Sequence, residues 1–197
     1  IQKATLYEAG FNYPGHTEFL ASLASVEPGG PIMMLASNKL KVVPLTIHIP
    51  LQDVPKSISK QAIITAVHLL DTNLKRFFGL SRPRIAIAGL NPHAGEGGNI
   101  GREDQDIIQP AIINLQQSGF EVTGPLPSDT LFHPEARKSY DVVIGMYHDQ
   151  VLIPLKTLDF YGSVNVTLGL NFIRTSPDHG TGLDIAGSGI ARPDSLI

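Results

Sequence analysis

Three histidines stand within or directly after apolar, β-forming segments. His48 lies in VVPLTIHIPL, His93 follows the apolar run at residues 84–90, and His148 follows DVVIGMY. Open α/β sheets bind ligands at the carboxyl ends of their strands, and three imidazoles with an open position suit Zn²⁺ or another divalent ion. The wide gaps between them match no local metal motif, and each alone could be a hydrogen-bonded structural histidine. Spacing alone therefore leaves the metal site as a hypothesis.

Cationic and polar residues elsewhere in the chain could bind an anion. Lys156, Asn165 and Arg174 follow the last of these histidines, and Thr17 stands at a predicted helix start. Lysine, arginine and a helix N-terminus are the groups that bind phosphate or carboxylate. Taken singly, each is more often a solvated surface residue.

Two aspartates, Asp129 and Asp149, are candidates for orienting histidine ligands through hydrogen bonds. The same residues could instead cap loops. The sequence alone does not separate the two roles.

The loop after residues 84–90 is rich in glycine but does not fit a dinucleotide-binding motif. Gly95 and Gly97 are correctly spaced, but position 100, where the third glycine of the motif belongs, is Ile, and Gly101 comes one residue too late. Three acidic residues follow at once, and they would repel a pyrophosphate. We interpret the loop as a segment with unusual backbone angles.

Alternating strand and helix patterns predict an α/β fold with a largely parallel or mixed sheet. The longest helix is predicted over residues 60–78, with apolar residues at helical spacing and Gly79 at its end. In the predicted strand at residues 41–50, Pro44 and Pro50 favour a sheet edge or an early stop. Further elements are predicted as strands at residues 32–37, 84–90, 120–123 and 141–147, a helix at about 103–118, short apolar segments at 151–155 and 163–168, and a helix-like tail within 178–194.

Composition excludes several classes of protein. The chain has 197 residues, a net charge of −3 and no cysteine, so disulfides and thiolate metal sites are excluded. The charge gives no reason to expect nucleic acid or a membrane surface as partner. No apolar run approaches the ~20 residues that span a bilayer, and we expect a cytoplasmic protein.

Longer motifs carry a family resemblance. GHTEFLA, NPHAGEGGNIGRED, GPLPSDTLF, MYHDQ and VNVTLGLNFIRTSPDHGTGLDIAG occur in this order, and together they resemble 4-hydroxythreonine-4-phosphate dehydrogenases of vitamin B6 biosynthesis. The resemblance implies an isocitrate/isopropylmalate dehydrogenase-like fold, a mixed sheet flanked by helices with an active-site cleft between two subdomains. It also implies a homodimer whose active sites use residues of both subunits. We expect residues 1–197 to be a fragment of a longer chain that has a further N-terminal stretch and a C-terminal helix.

The resemblance assigns roles to residues that match the family motifs. It implies metal binding by the three histidines and cofactor contacts by the loop that begins HGTG, which is similar to the HGSAPDIAG loop of related decarboxylating dehydrogenases. The implied sets are His48, His93 and His148 for the metal; His16, Thr17, Lys156, Asn165 and Arg174 for the substrate; and His179, Gly180 and Asp184 for the cofactor.

The activity implied by the resemblance is oxidation of 4-phosphooxy-L-threonine by NAD or NADP with Zn²⁺, Mg²⁺ or Co²⁺. The β-keto acid then decarboxylates to 3-amino-2-oxopropyl phosphate, a step in pyridoxal phosphate biosynthesis. Lys156 and Asp149 are candidates for the catalytic base on chemistry alone. The alternatives are a paralogous dehydrogenase of 4-phosphoerythronate or 4-phosphothreonate, a metal-dependent hydrolase or aldolase, and a binding domain without catalysis.

Overall fold

A seven-stranded mixed sheet lies at the centre of the protein in the computed structural model. The structure describes residues 3–13, 16–24, 30–180 and 182–196, without the side chains of residues 3, 4 and 16–18. The strands are β1 (Ile32–Ala36), β2 (Lys41–Thr46), β3 (Arg84–Ala88), β4 (Glu121–Leu126), β5 (Val142–Tyr147), β6 (Val164–Leu168) and β7 (Arg174–Pro177).

The sheet has a parallel half and an antiparallel half. Its order is β4-β3-β5-β2-β1-β6-β7, in which β3 pairs in parallel with β4 and β5, and β5 with β2. The pairings of β1 with β2 and β6, and of β6 with β7, are antiparallel. The carboxyl ends of β2, β3 and β5 therefore lie at the same end of the sheet. The segments that follow these strands contain the three histidines. The mixed α/β architecture predicted from the sequence is confirmed.

Helices cover both faces of the sheet, because successive side chains of a buried strand point to opposite faces. In β5, Ile144 packs in the same apolar cluster as residues of α4 and α5, whereas Val143 packs with residues of α6. Both side chains are fully buried. The helices are α1 (Lys3–Glu8), α2 (His16–Leu23), α3 (Val54–Ser57), α4 (Lys60–Phe78), α5 (Gln109–Gln117) and α6 (His148–Leu158).

The α4 helix follows its local sequence closely. The amide of Ala62 donates to Oγ of Ser59 at its start, and Gly79 ends it with a φ of 68°. Its apolar stripe is buried, with Ile63 and Leu70 at 0% exposure. The helix predicted for residues 60–78 is confirmed in both its position and its ends.

Strand β2 corrects the prediction that its prolines mark a sheet edge. Pro44 lies in the interior of the sheet, opposite Gly145 of β5. It has no N–H to donate, yet it is accommodated because β1 pairs with β2 only at Leu35 and Ala36 and then diverges. The early stop is confirmed, since β2 ends at Thr46 and His48 lies beyond the strand.

The segments after β5 also differ from expectation. Residues 151–155 are part of α6, because Val151 and Leu155 are one helical turn apart and both are fully buried. Strand β4 continues to Leu126 through a cis Gly124–Pro125 peptide. In the described part of the tail the only helical element is a 3₁₀ turn at Leu183–Ile185, so the prediction of a helix-like tail was wrong. Within the described residues, no helix has the length and apolarity to span a bilayer.

Candidate metal and substrate site

Two of the three histidines leave neighbouring parallel strands side by side. Thr46 of β2 lies opposite Tyr147 of β5, and its hydroxyl donates to the Met146 carbonyl at 2.7 Å. His48 follows this anchor by two residues and His148 is the first residue of α6. Their ring centroids lie 5.8 Å apart, with the ring planes inclined by 41°.

His148 is oriented by the next residue in the chain. Its Nδ1 donates to the Asp149 carboxylate at 2.7 Å, which leaves Nε2 as the nitrogen that can bind a metal. His148 is 33% exposed and Asp149 is 70% exposed, so the pair is open to solvent in the single chain. The predicted role of Asp149 in orienting a histidine agrees with this hydrogen bond.

His93 lies in a run of left-handed backbone. Residues 93–97 all have φ between 45° and 81°, and His93, Ala94 and Glu96 are not glycines. A left-handed helical conformation costs about 1–2 kcal/mol for each such residue. The unusual backbone angles predicted for the glycine loop are therefore present, and they extend to the histidine itself.

A buried carboxylate holds the segment before this run. Asp104 is 1% exposed, and it accepts from the amide of Leu90 at 2.8 Å and from that of Asn91 at 3.1 Å. The Asn91 side chain donates to both Asp104 and Glu103 at 2.9 Å, and its bond is the main reason that the pKa of Glu103 lies below its ordinary value. Strong bonds from neutral donors thus fix the chain immediately ahead of His93.

The structure brings together two of the three predicted metal ligands in one chain. Among the described residues, no group of three or more His, Asp or Glu side chains is arranged to hold a metal ion. The donor chemistry nonetheless fits a divalent metal, because His48 and His148 are adjacent imidazoles and one has a carboxylate partner. Participation of His93 stays a prediction.

The predicted substrate anchors line one side of the β6–β7 pair. Side chains at 163, 165 and 167 share a face because strand residues alternate. Residue 178 extends the register opposite Ser163, and Arg174 lies opposite Thr167. In this row, Asn165 and Thr167, the residue opposite Arg174, are therefore about 7 Å apart along the strand, at ~3.3 Å per residue.

Lys156 joins this row from α6. Its ammonium lies 2.6 Å from the carboxylate of Asp178, which is 3% exposed and also accepts from the Ser163 hydroxyl at 2.5 Å. Lys156 is eight residues after His148 in the same helix, which separates them by about 12 Å along its axis. The α6 helix thus spans from the histidine pair to the β6–β7 row.

The other two anchors have distinct chemistry. Nη1 of Arg174 donates to the Thr167 hydroxyl at 3.0 Å, and burial lowers the pKa of its guanidinium, which still remains charged. In the described part of the chain, Oδ1 of Asn165 is buried without a hydrogen-bond donor. A buried acceptor of this kind is costly unless a ligand or water supplies a donor.

The remaining predicted residues are less closely constrained. The α2 helix begins at His16, so Thr17 lies within its first turn, but the side chains of His16 and Thr17 lie outside the described residues. His179 and Gly180 are exposed, with Nδ1 of the histidine 2.9 Å from the Gly180 carbonyl. Asp184 is exposed in the Leu183–Ile185 turn. Their cofactor role stays a prediction.

A cavity of about 470 Å³ lies along α6, from Asp149 to Leu158. Asp129, Tyr147 and Asp149 contribute polar groups to its wall, and Phe132 and Ile153 contribute apolar ones. Asp129 therefore lies near the site. The cavity is large enough for a small ligand.

Sequence reasoning missed two polar residues that organise the strand ends. Asp104 is one of three acids within residues 103–106, and no local signal marks it as the buried one. Gln150 is the last residue of the MYHDQ motif, and its amide bonds to Met146, Gly89 and Ser128. Its place in that motif was the available signal, but its partners are distant in sequence.

Comparison with known proteins identifies the family to which the chain belongs. The family described as "Pyridoxal phosphate biosynthetic protein PdxA" matches residues 1–197. The chain belongs to this family. A PdxA-family relative from Caulobacter vibrioides, named 4-hydroxythreonine-4-phosphate dehydrogenase, is 58% identical over 201 residues, covering 100% of this chain and 60% of its own length. One of the same name from Bradyrhizobium diazoefficiens is 56% identical over 199 residues, covering 100% of this chain and 58% of its own. The chain thus spans about 60% of such relatives.

Solved structures of the PdxA family share the fold. The 4-hydroxythreonine-4-phosphate dehydrogenase of Klebsiella pneumoniae superposes with a TM-score of 0.87 at 48% identity, covering 99% of this chain and 58% of its own. A terephthalate 1,2-cis-dihydrodioldehydrogenase from Burkholderia xenovorans superposes with a TM-score of 0.75 at 31% identity. The match covers 95% of this chain and 60% of that protein. The scaffold thus occurs in dehydrogenases named for different substrates.

Proposed function

We propose that the protein oxidises 4-phosphooxy-L-threonine with NAD or NADP and a divalent metal, in pyridoxal phosphate biosynthesis. Two relatives that match the whole chain are named for this substrate. The substrate alcohol would lose its carbon-bound hydrogen as hydride to the nicotinamide and its hydroxyl proton to a base. The β-keto acid would then release CO₂ and leave 3-amino-2-oxopropyl phosphate. A cytoplasmic location stays a prediction.

The observation that carries the proposal is the pairing of His48 and His148 at one end of α6, while Lys156 meets the β6–β7 row from the other. A metal-binding pair and a cationic anchor on one helix suit a substrate with a reacting hydroxyl and a distant phosphate. The axial separation of about 12 Å leaves room for a small phosphorylated molecule.

We propose that His48, His93 and His148 hold the metal in a homodimer, with at least one ligand supplied by the partner subunit. Two imidazoles meet in the single chain, and a third ligand from another subunit would complete three protein ligands. When bound there, a divalent ion would act as a Lewis acid towards the substrate hydroxyl and the charge that develops on its oxygen. The bound ion could be Zn²⁺, Co²⁺ or Mg²⁺, and imidazole ligands favour Zn²⁺ and Co²⁺.

The chain's own residues would bind and orient the substrate. Lys156 and Arg174 offer positive charge to phosphate or carboxylate, and the Asn165 amide oxygen would accept a hydrogen bond from a substrate ammonium or hydroxyl. His16 and Thr17 would add contacts from the start of α2.

Of the two candidate bases, Asp149 is favoured. Lys156 forms an ion pair with Asp178, and an ammonium held in such a pair has no lone pair with which to accept a proton. The Asp149 carboxylate is 70% exposed and adjoins His148. Its second oxygen could therefore accept the hydroxyl proton, while the first orients the imidazole.

Turnover with purified full-length protein tests the proposal. Incubation with 4-phosphooxy-L-threonine, nicotinamide cofactor and Co²⁺ should produce reduced nicotinamide and CO₂ in equal amounts, and a chelator should stop both. Metal-dependent turnover of substrate without nicotinamide reduction would instead favour a hydrolase or aldolase. His179, Gly180 and Asp184 are the proposed cofactor contacts, and their replacement should raise the KM for nicotinamide.

The alternative substrate is 4-phosphoerythronate or 4-phosphothreonate. The phosphate anchors and the Asn165 acceptor do not distinguish these molecules from 4-phosphooxy-L-threonine, because all of them carry a phosphate and hydrogen-bond donors. Higher kcat/KM on either alternative than on 4-phosphooxy-L-threonine would reassign the substrate within the same family.

A further inference from the structure

The side-chain amide of Gln150 connects three segments at the edge of the sheet where the histidines lie. Its Nε2 donates to the Gly89 carbonyl at 2.6 Å and to the Ser128 hydroxyl at 2.8 Å. Its Oε1 accepts from the Met146 amide at 2.6 Å. One residue therefore bonds to strand β5, to the segment after β3 and to the turn after β4.

The chemistry of the partners fixes the orientation of this amide. The Gly89 carbonyl can only accept and the Met146 amide can only donate, so an amide rotated by 180° would lose both bonds. Gly145 makes room for the arrangement, because a Cβ at this position would lie 3.0 Å from Oε1 of Gln150 and would collide with Val151. Only a side chain with a donor and an acceptor at these two places satisfies both backbone groups.

The bonded segments lead directly to two predicted metal ligands. Gly89 precedes His93 by four residues, and Met146 precedes His148 by two. The Gly89 amide also donates to the Leu126 carbonyl at 2.8 Å, so the start of the loop is fixed on both sides. Movement of one histidine-bearing segment relative to the other would break the Gln150 bonds.

We propose that Gln150 is a positioning residue that holds the backbone segments bearing His93 and His148 in place for metal binding, whether the two histidines of one chain serve the same metal site or, in the homodimer, two different ones. This role rests on the proposed metal-dependent function. A purely structural role predicts that loss of the amide lowers thermal stability and leaves metal affinity unchanged. The positioning role predicts weaker metal binding and altered metal coordination.

Titration of the full-length protein with Co²⁺ distinguishes these roles, because the visible absorption of bound Co²⁺ reports its coordination. Gln150→Met keeps the length of the side chain and removes all three hydrogen bonds. We expect its apparent Kd for Co²⁺ to rise about 10- to 100-fold, the usual effect of losing a residue that supports metal ligands, with a changed visible spectrum.

Gln116→Met is the matched control. Nε2 of Gln116 donates to the Val122 carbonyl at 2.8 Å, and this bond joins α5 to β4. The control should lower the Tm without changing the Kd or the spectrum. A Gln150→Met variant with a lowered Tm, but with the Kd and spectrum of the wild type, would overturn the proposal.

Gln150→Glu provides a second variant if Gln150→Met does not fold. Glutamate keeps the acceptor for the Met146 amide but places an oxygen opposite the Gly89 carbonyl, so the Kd should again rise. A wild-type Kd in this variant would overturn the positioning role alone. Absence of any Co²⁺ response in the wild type would overturn both that role and the metal-dependent function.

Discussion

The Asp149 carboxylate accepts a hydrogen bond of 2.7 Å from Nδ1 of His148, the imidazole that lies beside His48. This bond selects the tautomer whose Nε2 carries a lone pair, and it holds the ring against rotation. The bond gives a chemical role to neighbouring residues of the MYHDQ motif: His148 would bind the proposed metal, and Asp149 would orient His148.

Replacement of Asp149 by Asn should weaken metal binding. An amide cannot accept and orient the imidazole N–H as strongly as a carboxylate, and the exposed position reduces the effect to the lower end of the usual range. We expect about a tenfold rise in the Kd for Co²⁺, measured by titration. Glu135→Gln is the control, because Glu135 makes a similar contact with Nδ1 of His133 at 3.2 Å away from the site. Equal affinities in the wild type and Asp149→Asn would refute the orienting role.

Arg174 should contribute to substrate affinity through its charge. Arg174→Ala removes one charge-assisted contact, worth about 1.5–3 kcal/mol, so the KM for the phosphorylated substrate should rise about 10- to 100-fold. Steady-state kinetics measures this change. Arg102→Ala is a suitable control, because Arg102 is a surface residue paired with Asp106. A KM for Arg174→Ala equal to that of the control would exclude the anchor.

The ion pair between Arg84 and Asp141 should contribute to stability in a pH-dependent manner. The Arg84 side-chain hydrogen bonds lower the pKa of Asp141 below its ordinary value. A lowered folded-state pKa gives stability that is present above the unfolded pKa of about 3.9 and is lost as the pH falls through the folded value. Asp141→Asn should therefore cost about 1–2 kcal/mol at neutral pH, allowing for the exposure of Arg84.

Urea unfolding at several pH values measures this contribution. The wild type and Asp141→Asn should approach equal stability in acid, and metal affinity should be unchanged because the pair lies at the opposite end of β3 from His93. Asp106→Asn is the surface control, with an expected cost of at most about 0.5 kcal/mol. A pH-independent difference between the wild type and Asp141→Asn would contradict the ionic origin.

The left-handed backbone at Glu96 should be relieved by glycine. Glu96 has a φ of 45° and an exposed side chain, so Glu96→Gly should stabilise the protein by about 1 kcal/mol, since the cost of the left-handed conformation is removed. Lys75→Gly, in the interior of α4, should destabilise by about 0.5–1 kcal/mol. Chemical denaturation measures both values. Destabilisation by Glu96→Gly would show that the conformation is not strained.

The sequence predicted best the elements whose signals are local. The α4 helix carries its Ser59 cap, its apolar stripe and Gly79 within one segment, and β5 is a continuous apolar run. The α6 helix was not predicted, because a five-residue apolar run fits either a strand or a helix. The position of β2 inside the sheet depended on where β1 diverges, which no local pattern records.

In the candidate site, too, residues marked by local signals were predicted and contacts between distant residues were not. The histidines and anchors were predicted from strand ends, residue types and family motifs, whereas their arrangement depends on contacts between distant residues. Lys156 meets Asp178 across 22 positions, and Gln150 meets Gly89 across 61. Side-chain type and spacing do not encode such pairings, so Asp178, Asp104 and Gln150 were found only in the structure.

Anomalous diffraction from crystals of the full-length protein with Co²⁺ and 4-phosphooxy-L-threonine would show whether the three histidines share one metal. We expect one cobalt peak for each active site, about 2.0–2.2 Å from imidazole nitrogens of His48, His93 and His148, with at least one of them from the partner subunit. A peak bound by other residues, or no peak beside the His48–His148 pair, would refute the proposed metal site.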